Sequence, residues 1–180
     1  MPDVRTMRTH TIIDSPLGPL TLLNTDGVLT GLYMDGQKHQ PDQSRFGQQS
    51  GSGFEQAAEE LTEYFSGQRF RFSLPLSPSG SAFECSVWRL LTQIPYGRTR
   101  TYGQLAADVG DEDADWTLAR AVGTAVGHNP IGVIIPCHRV IGADGSLTGY
   151  AGGLERKAML LDLESPAPVV VQTLFEQTSF

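Results

Sequence analysis

The sequence has few cysteines and lacks the spacings that build metal sites, and each shortage excludes a class of protein. Cys85 and Cys137 are the two cysteines among 180 residues, which excludes a disulfide framework and an all-cysteine zinc site. No Cys-x-x-Cys or His-x-x-x-His spacing supports a mixed site. We therefore expect neither a metal nor another cofactor.

Long apolar runs and positive charge are also missing. No run of about 18 apolar residues occurs and the first residues lack a signal-peptide pattern, so we expect a soluble, cytoplasmic protein without membrane contact. Lys and Arg number 13 against 20 Asp and Glu, a net charge of −7. This balance argues against a protein that holds nucleic acid by bulk electrostatics, so any contact with DNA must be local.

Patterns in the first half predict a small α/β domain over residues 1–78. Short β-prone runs at 12–14, 20–23 and 28–34 are separated by turn residues, which favours an antiparallel meander. The polar stretch 37–53 has no periodicity and is predicted to be a mobile loop.

A helix and one further strand are predicted to complete this domain. Apolar residues recur at helical spacing over 54–65, and the other face should be a solvated run of acids, namely Glu55, Glu59, Glu60 and Glu63. Phe70, Phe72 and Leu74 alternate as in a strand.

The second half predicts a mainly helical domain over 79–166, followed by a tail at 167–180. Ser81 and Glu84 form a capping box before an apolar stripe, where Cys85 and Trp88 are expected to pack. Two further helices, at 102–109 and 117–126, suggest a helix-turn-helix.

The last of these helices has two different faces. Leu118, Ala121, Val122, Ala125 and Val126 form the stripe predicted to be buried. The opposite stripe holds Arg120 with Gly123, Thr124 and Gly127. Small residues with one guanidinium suit close approach to a grooved partner. They equally suit packing against another helix, with Arg120 solvated.

The hexapeptide Ile-Pro-Cys-His-Arg-Val at 135–140 places a thiol beside an imidazole. The apolar run 131–135 before it is predicted to be a buried, strand-like segment, and Pro136 stiffens its exit. A cysteine nucleophile needs a base, which His138 could supply. A small core cysteine is the alternative.

Several separate motifs occur together in one order along the second half of the chain. They are Trp88, 94–97, 101–103, 120–123, 129–130, 136–140, 149–150 and 152–153. Together they resemble the O6-alkylguanine-DNA alkyltransferases, densely over 81–164 and in general character before that. The resemblance implies a ribonuclease-H-like α/β domain followed by a mainly α, winged-helix-like domain with a helix-turn-helix.

The resemblance also implies a reaction. Cys137 would take the alkyl group from guanine O6 once and irreversibly, with O4-alkylthymine as a second candidate substrate. His138 would remove the thiol proton through a water, oriented by Glu164. Tyr102 would contact the flipped base and donate to N3.

The implied partner is double-stranded DNA containing O6-alkylguanine, bound by a monomer that could bind cooperatively. The helix at 117–126 would lie in the minor groove without reading sequence, and Arg120 would fill the gap left by the flipped base. The remaining residues of this surface would be Ala119, Ala121, Gly123, Thr124 and Gly127.

A lesion pocket is implied beside Cys137. The Ala151 N–H would point at O6, Asn129 would tie the helix to the active-site segment, and Lys157 would lie near the closing loop. The complete implied pocket is Tyr102, Val140, Tyr150, Ala151, Asn129 and Lys157.

One departure from the family pattern is a longer, acidic joint at 111–116. Its acids would either repel the DNA backbone or cap the following helix. Two other functions stay open: a lesion-binding relative that does not transfer the group, and a Cys-His-Glu hydrolase.

Overall fold

The computed structural model describes residues 6–110 and 116–165. The acidic joint, apart from Trp116, and the predicted tail at 167–180 lie outside these residues. Three antiparallel strands form the predicted meander: β1 (Arg8–Ile13), β2 (Leu20–Thr25) and β3 (Val28–Met34). A short β4 (Gln48–Gln49) pairs parallel to β1, giving the sheet order β3-β2-β1-β4.

One face of the sheet and helix α1 (Glu55–Phe65) share the core of the first domain. Leu20 and Leu22 alternate along β2 and are fully buried, as are Leu61 and Tyr64 on α1. Each buried leucine stabilises the fold by about 1.5–3 kcal/mol relative to exposure. The period of two in the strand and the helical period in α1 therefore point at the same core.

Two predictions for this domain were wrong. The described residues contain no strand at Phe70–Leu74, and Glu60 is not solvated but 2% exposed. The Glu60 carboxylate accepts hydrogen bonds from the Ser73 N–H (2.8 Å) and hydroxyl (2.5 Å), and lies 3.6 Å from Arg69. These contacts hold the segment against α1, so its backbone bonds to a side chain instead of a neighbouring strand.

The stretch 37–53, predicted to be a mobile loop, contains β4 and a single 3-10 turn, Gln43–Arg45. Phe46 anchors it: the ring is 5% exposed and stacks on Tyr33 with centroids 6.5 Å apart. A buried aromatic ring and the pairing of β4 with β1 thus hold a stretch that has no periodicity.

The second domain contains the three predicted helices, α2 (Ala82–Leu91), α3 (Tyr102–Val109) and α4 (Trp116–Gly127). A further helix, α5 (Leu154–Glu164), comes last in the described chain. Short parallel strands β5 (Arg100–Thr101) and β6 (Val140–Ile141) join its loops. The capping box of Ser81 and Glu84 is present at the start of α2.

Helix α4 packs with one side on α2 and α3 and leaves its other side, the outer face, uncovered by them. Trp88 on α2 is buried, as predicted for a packing residue, and its indole N–H donates to the Ala125 carbonyl over 2.8 Å. Ala121 was assigned to the buried stripe and is exposed instead. It lies on the same outer surface as Arg120, because the two supporting helices cover only one side of α4.

The segment 131–135 is buried as predicted, but it forms turns instead of a strand. Val133 has φ 68°, a left-handed conformation that is unfavourable for a β-branched residue. The Gly132 N–H donates to the Leu32 carbonyl of β3 over 3.2 Å, and the Leu32 N–H donates to the Pro130 carbonyl over 2.9 Å. The segment that leads into Cys137 is therefore docked on the first domain's sheet.

Candidate active site

Cys137 opens a one-turn 3-10 helix, Cys137–Arg139, and contributes to the wall of a cavity of about 190 Å³. The thiol-bearing residue is 7% exposed. Predicted pocket residues that share this wall are Tyr102, Tyr150 and Ala151, and α4 contributes Gly123, Val126 and Gly127. The cavity thus connects the thiol with the small-residue face of α4.

Three residues predicted for the pocket do not line this cavity. Val140 is fully buried in β6, while Asn129 and Lys157 use their side chains to bond backbone. Lys38 and His39 of the first domain line the cavity instead. Sequence alone carried no signal for these two, because they belong to the stretch interpreted as a loop without function.

His138 is fully buried and bonds Glu164 of α5 through Nε2, with a nitrogen-to-Oε1 distance of 2.8 Å. A carboxylate accepts hydrogen bonds, so Nε2 carries the ring proton and the neutral ring leaves Nδ1 as an acceptor. Nδ1 has no hydrogen-bond partner among the described residues. The ring is therefore fixed at one nitrogen and basic at the other.

Glu164 is the centre of a buried hydrogen-bond network. Its Oε1 also accepts from the Tyr64 hydroxyl (2.6 Å) and from Arg139 Nη2 (2.8 Å), and its Oε2 from Arg139 Nε (2.8 Å). Burial alone would raise the pKa of Glu164, but hydrogen bonds from His138 and Arg139 outweigh it and lower the pKa to about 2. The carboxylate stays charged.

Arg139 and Tyr64 are two residues of this network for which the sequence predicted no individual role. Arg139 also donates to the Ile94 carbonyl over 2.6 Å, so each of its three guanidinium nitrogens makes a hydrogen bond. An arginine directly after the Cys-His pair in an apolar segment was a signal, because a buried guanidinium needs a carboxylate. Tyr64 precedes Glu164 by 100 residues, and no local pattern connects them.

Burial sets the charge states of the Cys-His pair. It raises the pKa of the Cys137 thiol, against smaller opposing contributions from Asn129 and Lys157. It lowers the pKa of His138, against the opposing hydrogen bond and charge of Glu164. The resting pair at neutral pH is thus a protonated thiol and a neutral imidazole, which can exchange a proton but is not an ion pair.

Asn129 follows α4 and holds the segment before Cys137. Its Nδ2 donates to the Ile135 carbonyl over 2.8 Å, and its Oδ1 accepts from the Ile131 N–H over 3.0 Å. These bonds connect the residues that follow α4 to the backbone two residues before the thiol.

The loop at 149–153 closes the other side of the cavity, and Lys157 holds its start. The buried ammonium donates to the carbonyls of Val140 (2.5 Å), Thr148 (3.1 Å) and Gly149 (3.2 Å). The Tyr102 hydroxyl also donates to Thr148 O, over 3.0 Å. Burial raises the pKa of Tyr102, so its phenol remains a proton donor.

The residues of the predicted contact surface differ in exposure. Arg120, Ala121 and Thr124 are exposed, and Ala119, Gly123 and Gly127 are half-buried. A Cβ on Gly123 would lie 3.7 Å from the Tyr102 ring. This is an ordinary van der Waals distance, so α4 packs directly beside the Tyr102 ring.

Two expectations concern what the chain does not bind. Within residues 6–110 and 116–165, no group of three or more His, Cys, Asp or Glu side chains is placed to hold a metal ion. The same residues include no helix long and apolar enough to cross a membrane.

Two family models match the chain. The ribonuclease-like domain of 6-O-methylguanine DNA methyltransferase matches residues 9–78, and the DNA binding domain of the same proteins matches residues 82–166. The boundary between the two matches falls in the segment that enters α2.

Named relatives cover nearly the whole chain. The methylated-DNA–protein-cysteine methyltransferase of Mycobacterium tuberculosis is 47% identical over 164 residues, which are 91% of this chain and 96% of the relative. The Methanosarcina acetivorans protein of the same name is 44% identical over 86% of this chain and 97% of its own length.

A solved structure agrees with the fold. The crystal structure of Mycobacterium tuberculosis OGT in complex with DNA has a TM-score of 0.79 and 46% identity, covering 88% of this chain and 96% of that one. With both domains matched in order and a relative 47% identical over 91% of the chain, the chain belongs to the 6-O-methylguanine DNA methyltransferase family.

Proposed function

We propose that this protein repairs DNA by transferring the alkyl group of O6-alkylguanine irreversibly to its own Cys137. The observation that carries the proposal is the buried Cys137 in a cavity beside α4, next to an imidazole held by Glu164. Relatives bearing the methyltransferase name and a relative solved with DNA support the same function. Each molecule would act once.

The chemistry begins with the thiol proton. Because burial keeps Cys137 protonated and His138 neutral, His138 Nδ1 would accept the proton through one water as the lesion enters. The sulfur then forms a bond to the alkyl carbon, and the bond between that carbon and O6 breaks. The electron pair leaves with guanine, and the imidazolium formed is stabilised by Glu164.

The leaving base needs help because it takes up negative charge. Tyr102, whose raised pKa keeps it protonated, would exchange its hydrogen bond to Thr148 O for one to N3 of guanine, and the Ala151 N–H would point at O6. Donors aimed at the atoms where charge develops lower the barrier. Tyr150 would pack on the base, since its ring lines the same cavity.

DNA binding would be local, as the net charge of −7 requires. We place the outer face of α4 in the minor groove, with Arg120 in the gap that the flipped base leaves. Unstacking the base costs roughly a few kcal/mol, which this inserted guanidinium would offset. A face of alanine, glycine and threonine reads no sequence, so recognition should depend on the lesion. The chromosomal substrate implies action in the cytoplasm, at the nucleoid.

One experiment tests the proposal. Duplex DNA carrying O6-[methyl-labelled] guanine is mixed with the protein, and label on protein is followed with time. We expect a plateau at one methyl per protein, on the peptide containing Cys137. Cys137→Ser should bind the same duplex without accepting label. Repeated turnover would indicate a hydrolase, and binding without transfer by the unmodified protein would indicate a damage marker.

A further inference from the structure

The loop at 149–153 that closes the proposed lesion cavity is held on two sides. Lys157 secures its beginning through Thr148 and Gly149. The carbonyls of its second half bond elsewhere: Ala151 O accepts the Lys38 N–H over 2.9 Å, and Gly152 O accepts Arg156 Nη1 over 3.2 Å. The half that carries the Ala151 N–H therefore depends on Lys38 and Arg156.

Arg156 joins this loop to the first domain. From the first turns of α5 its Nε donates to Leu17 O over 3.0 Å, in the turn between β1 and β2. Its Nη1 donates to Asp35 O over 2.9 Å, directly after β3. One guanidinium thus bonds carbonyls from three separate segments, and a planar group with five donors can satisfy all three at once.

Close packing reinforces the same junction. A Cβ on Gly152 would lie 2.4 Å from Met34 Sδ and 3.0 Å from the Tyr150 ring. Met34 is 1% exposed, and its N–H bonds the Gln37 side chain over 2.7 Å. The loop backbone therefore touches the end of β3 and has little room to move on that side.

From these contacts we infer that the first domain positions the alkyl-transfer site, with Arg156 as the positioning residue. Arg156 does not line the cavity and acts through Gly152, next to the Ala151 N–H proposed to face O6. The inference rests on the proposed function and adds a role for the first domain in the rate of transfer. Loss of the guanidinium should let the loop drift, and a displacement of about 1 Å can slow a reaction by as much as roughly 100-fold.

The test compares Arg156→Gln with Arg156→Lys in single-turnover transfer from labelled lesion duplex. We expect Gln to lower the maximal rate constant about tenfold while the half-saturating DNA concentration is unchanged. Arg156→Lys retains the positive charge but not the planar group with five N–H donors, so it should recover part of the transfer rate. Hydrogen exchange should speed up at the amides of 149–153 in the Gln variant.

Arg69→Gln is the matched control, because Arg69 bonds Glu63 over 2.7 Å within the first domain. It should lose stability but keep the transfer rate. A folded Arg156→Gln protein with the parental maximal rate overturns the inference. A change confined to the half-saturating DNA concentration also overturns the inference, since Arg156 would then contribute to DNA binding and not to the transfer rate. An unmodified protein that transfers nothing refutes the proposed function. In that case, hydrogen exchange at 149–153 still tests whether Arg156 holds the loop.

Discussion

Arg139 and Glu164 form a buried two-point ion pair, with Nε to Oε2 and Nη2 to Oε1 both at 2.8 Å. Glu164 Oε1 also accepts a hydrogen bond from His138, the base of the proposed reaction. The carboxylate that orients this base is therefore already paired with the positive charge of Arg139. Burial and the nearby guanidinium both lower the pKa of His138. The His138 imidazole is therefore firmly oriented, and it remains neutral until it takes the thiol proton.

Glu164→Gln should destabilise the protein strongly, because it leaves the buried Arg139 guanidinium without its counter-charge. Removing one partner of a buried pair costs about 3–5 kcal/mol. Urea unfolding followed by tryptophan fluorescence would measure the change. Asp162→Asn, on the exposed side of the same helix, should have little effect. A loss of less than about 1 kcal/mol in Glu164→Gln, the value typical of surface pairs, would contradict a buried pair.

Transfer should persist to lower pH than a free imidazole would allow. His138 must be neutral to accept the thiol proton, and its pKa is lowered from the usual value of about 6.5. The maximal rate constant should therefore be level down to about pH 6.5 and fall only below it. Quenched single-turnover reactions at saturating lesion DNA would give this profile. An inflection above that pH would contradict a buried, neutral His138.

Acid should remove stability through Glu164 in a defined window. Its pKa is about 2 in the folded protein and about 4.3 in an unfolded chain. The unfolded state therefore takes up the proton first, so the contribution is complete above about pH 4.3 and is lost as pH falls toward 2. The free energy of unfolding, measured with urea at several pH values in this window, should fall more steeply with decreasing pH for the parent than for Glu164→Gln. An equal pH dependence in the two proteins would mean that this carboxyl does not titrate as described.

Local patterns were sufficient for the elements that are stabilised locally. The capping box of Ser81 and Glu84, the alternation along β2 and the apolar spacing of α1 each predicted an element that the structure contains. The Cys137 and His138 pair was recognisable for the same reason, since the two residues are adjacent. The pairing of His138 with Glu164 came from the resemblance to a family, not from local spacing.

Features created by tertiary contacts were not predictable in this way. Glu60 looked like one acid of a solvated face, but Ser73 and Arg69 of a later segment contact its carboxylate in the folded protein. The run 131–135 has strand composition, but its backbone forms turn hydrogen bonds within the run, such as Ile135 N–H to Ile131 O, and further bonds with Leu32 and Asn129. In both places, distant partners contribute to the conformation.

Tyr64→Phe tests whether α1 supports the active site across the domain boundary. The phenol donates to Glu164 Oε1 over 2.6 Å, and both side chains are buried. Removing a hydrogen bond to a charged acceptor should cost about 1.5–3 kcal/mol of stability. Tyr33→Phe is the control, since the Tyr33 hydroxyl makes no hydrogen bond with the described residues. Denaturant unfolding of both variants decides, and equal losses would contradict a specific contact.

Arg120→Ala tests whether the exposed face of α4 opens the duplex. Arg120 is exposed beside small residues, so its loss should leave the fold intact and remove only the group proposed to fill the base stack. Flipping a base out of a duplex costs roughly a few kcal/mol. The variant should therefore transfer from duplex DNA about tenfold or more slowly.

The same variant should behave differently on single-stranded DNA. A lesion in a single strand has no paired stack to fill, so Arg120→Ala and the parent should transfer from it at similar rates. Arg98→Ala, which changes an arginine in the loop between α2 and α3, serves as a charge-matched control and should retain the parental rate on both substrates. Equal slowing of Arg120→Ala on duplex and single strand would contradict a role in base flipping and indicate a general contact with the phosphate backbone.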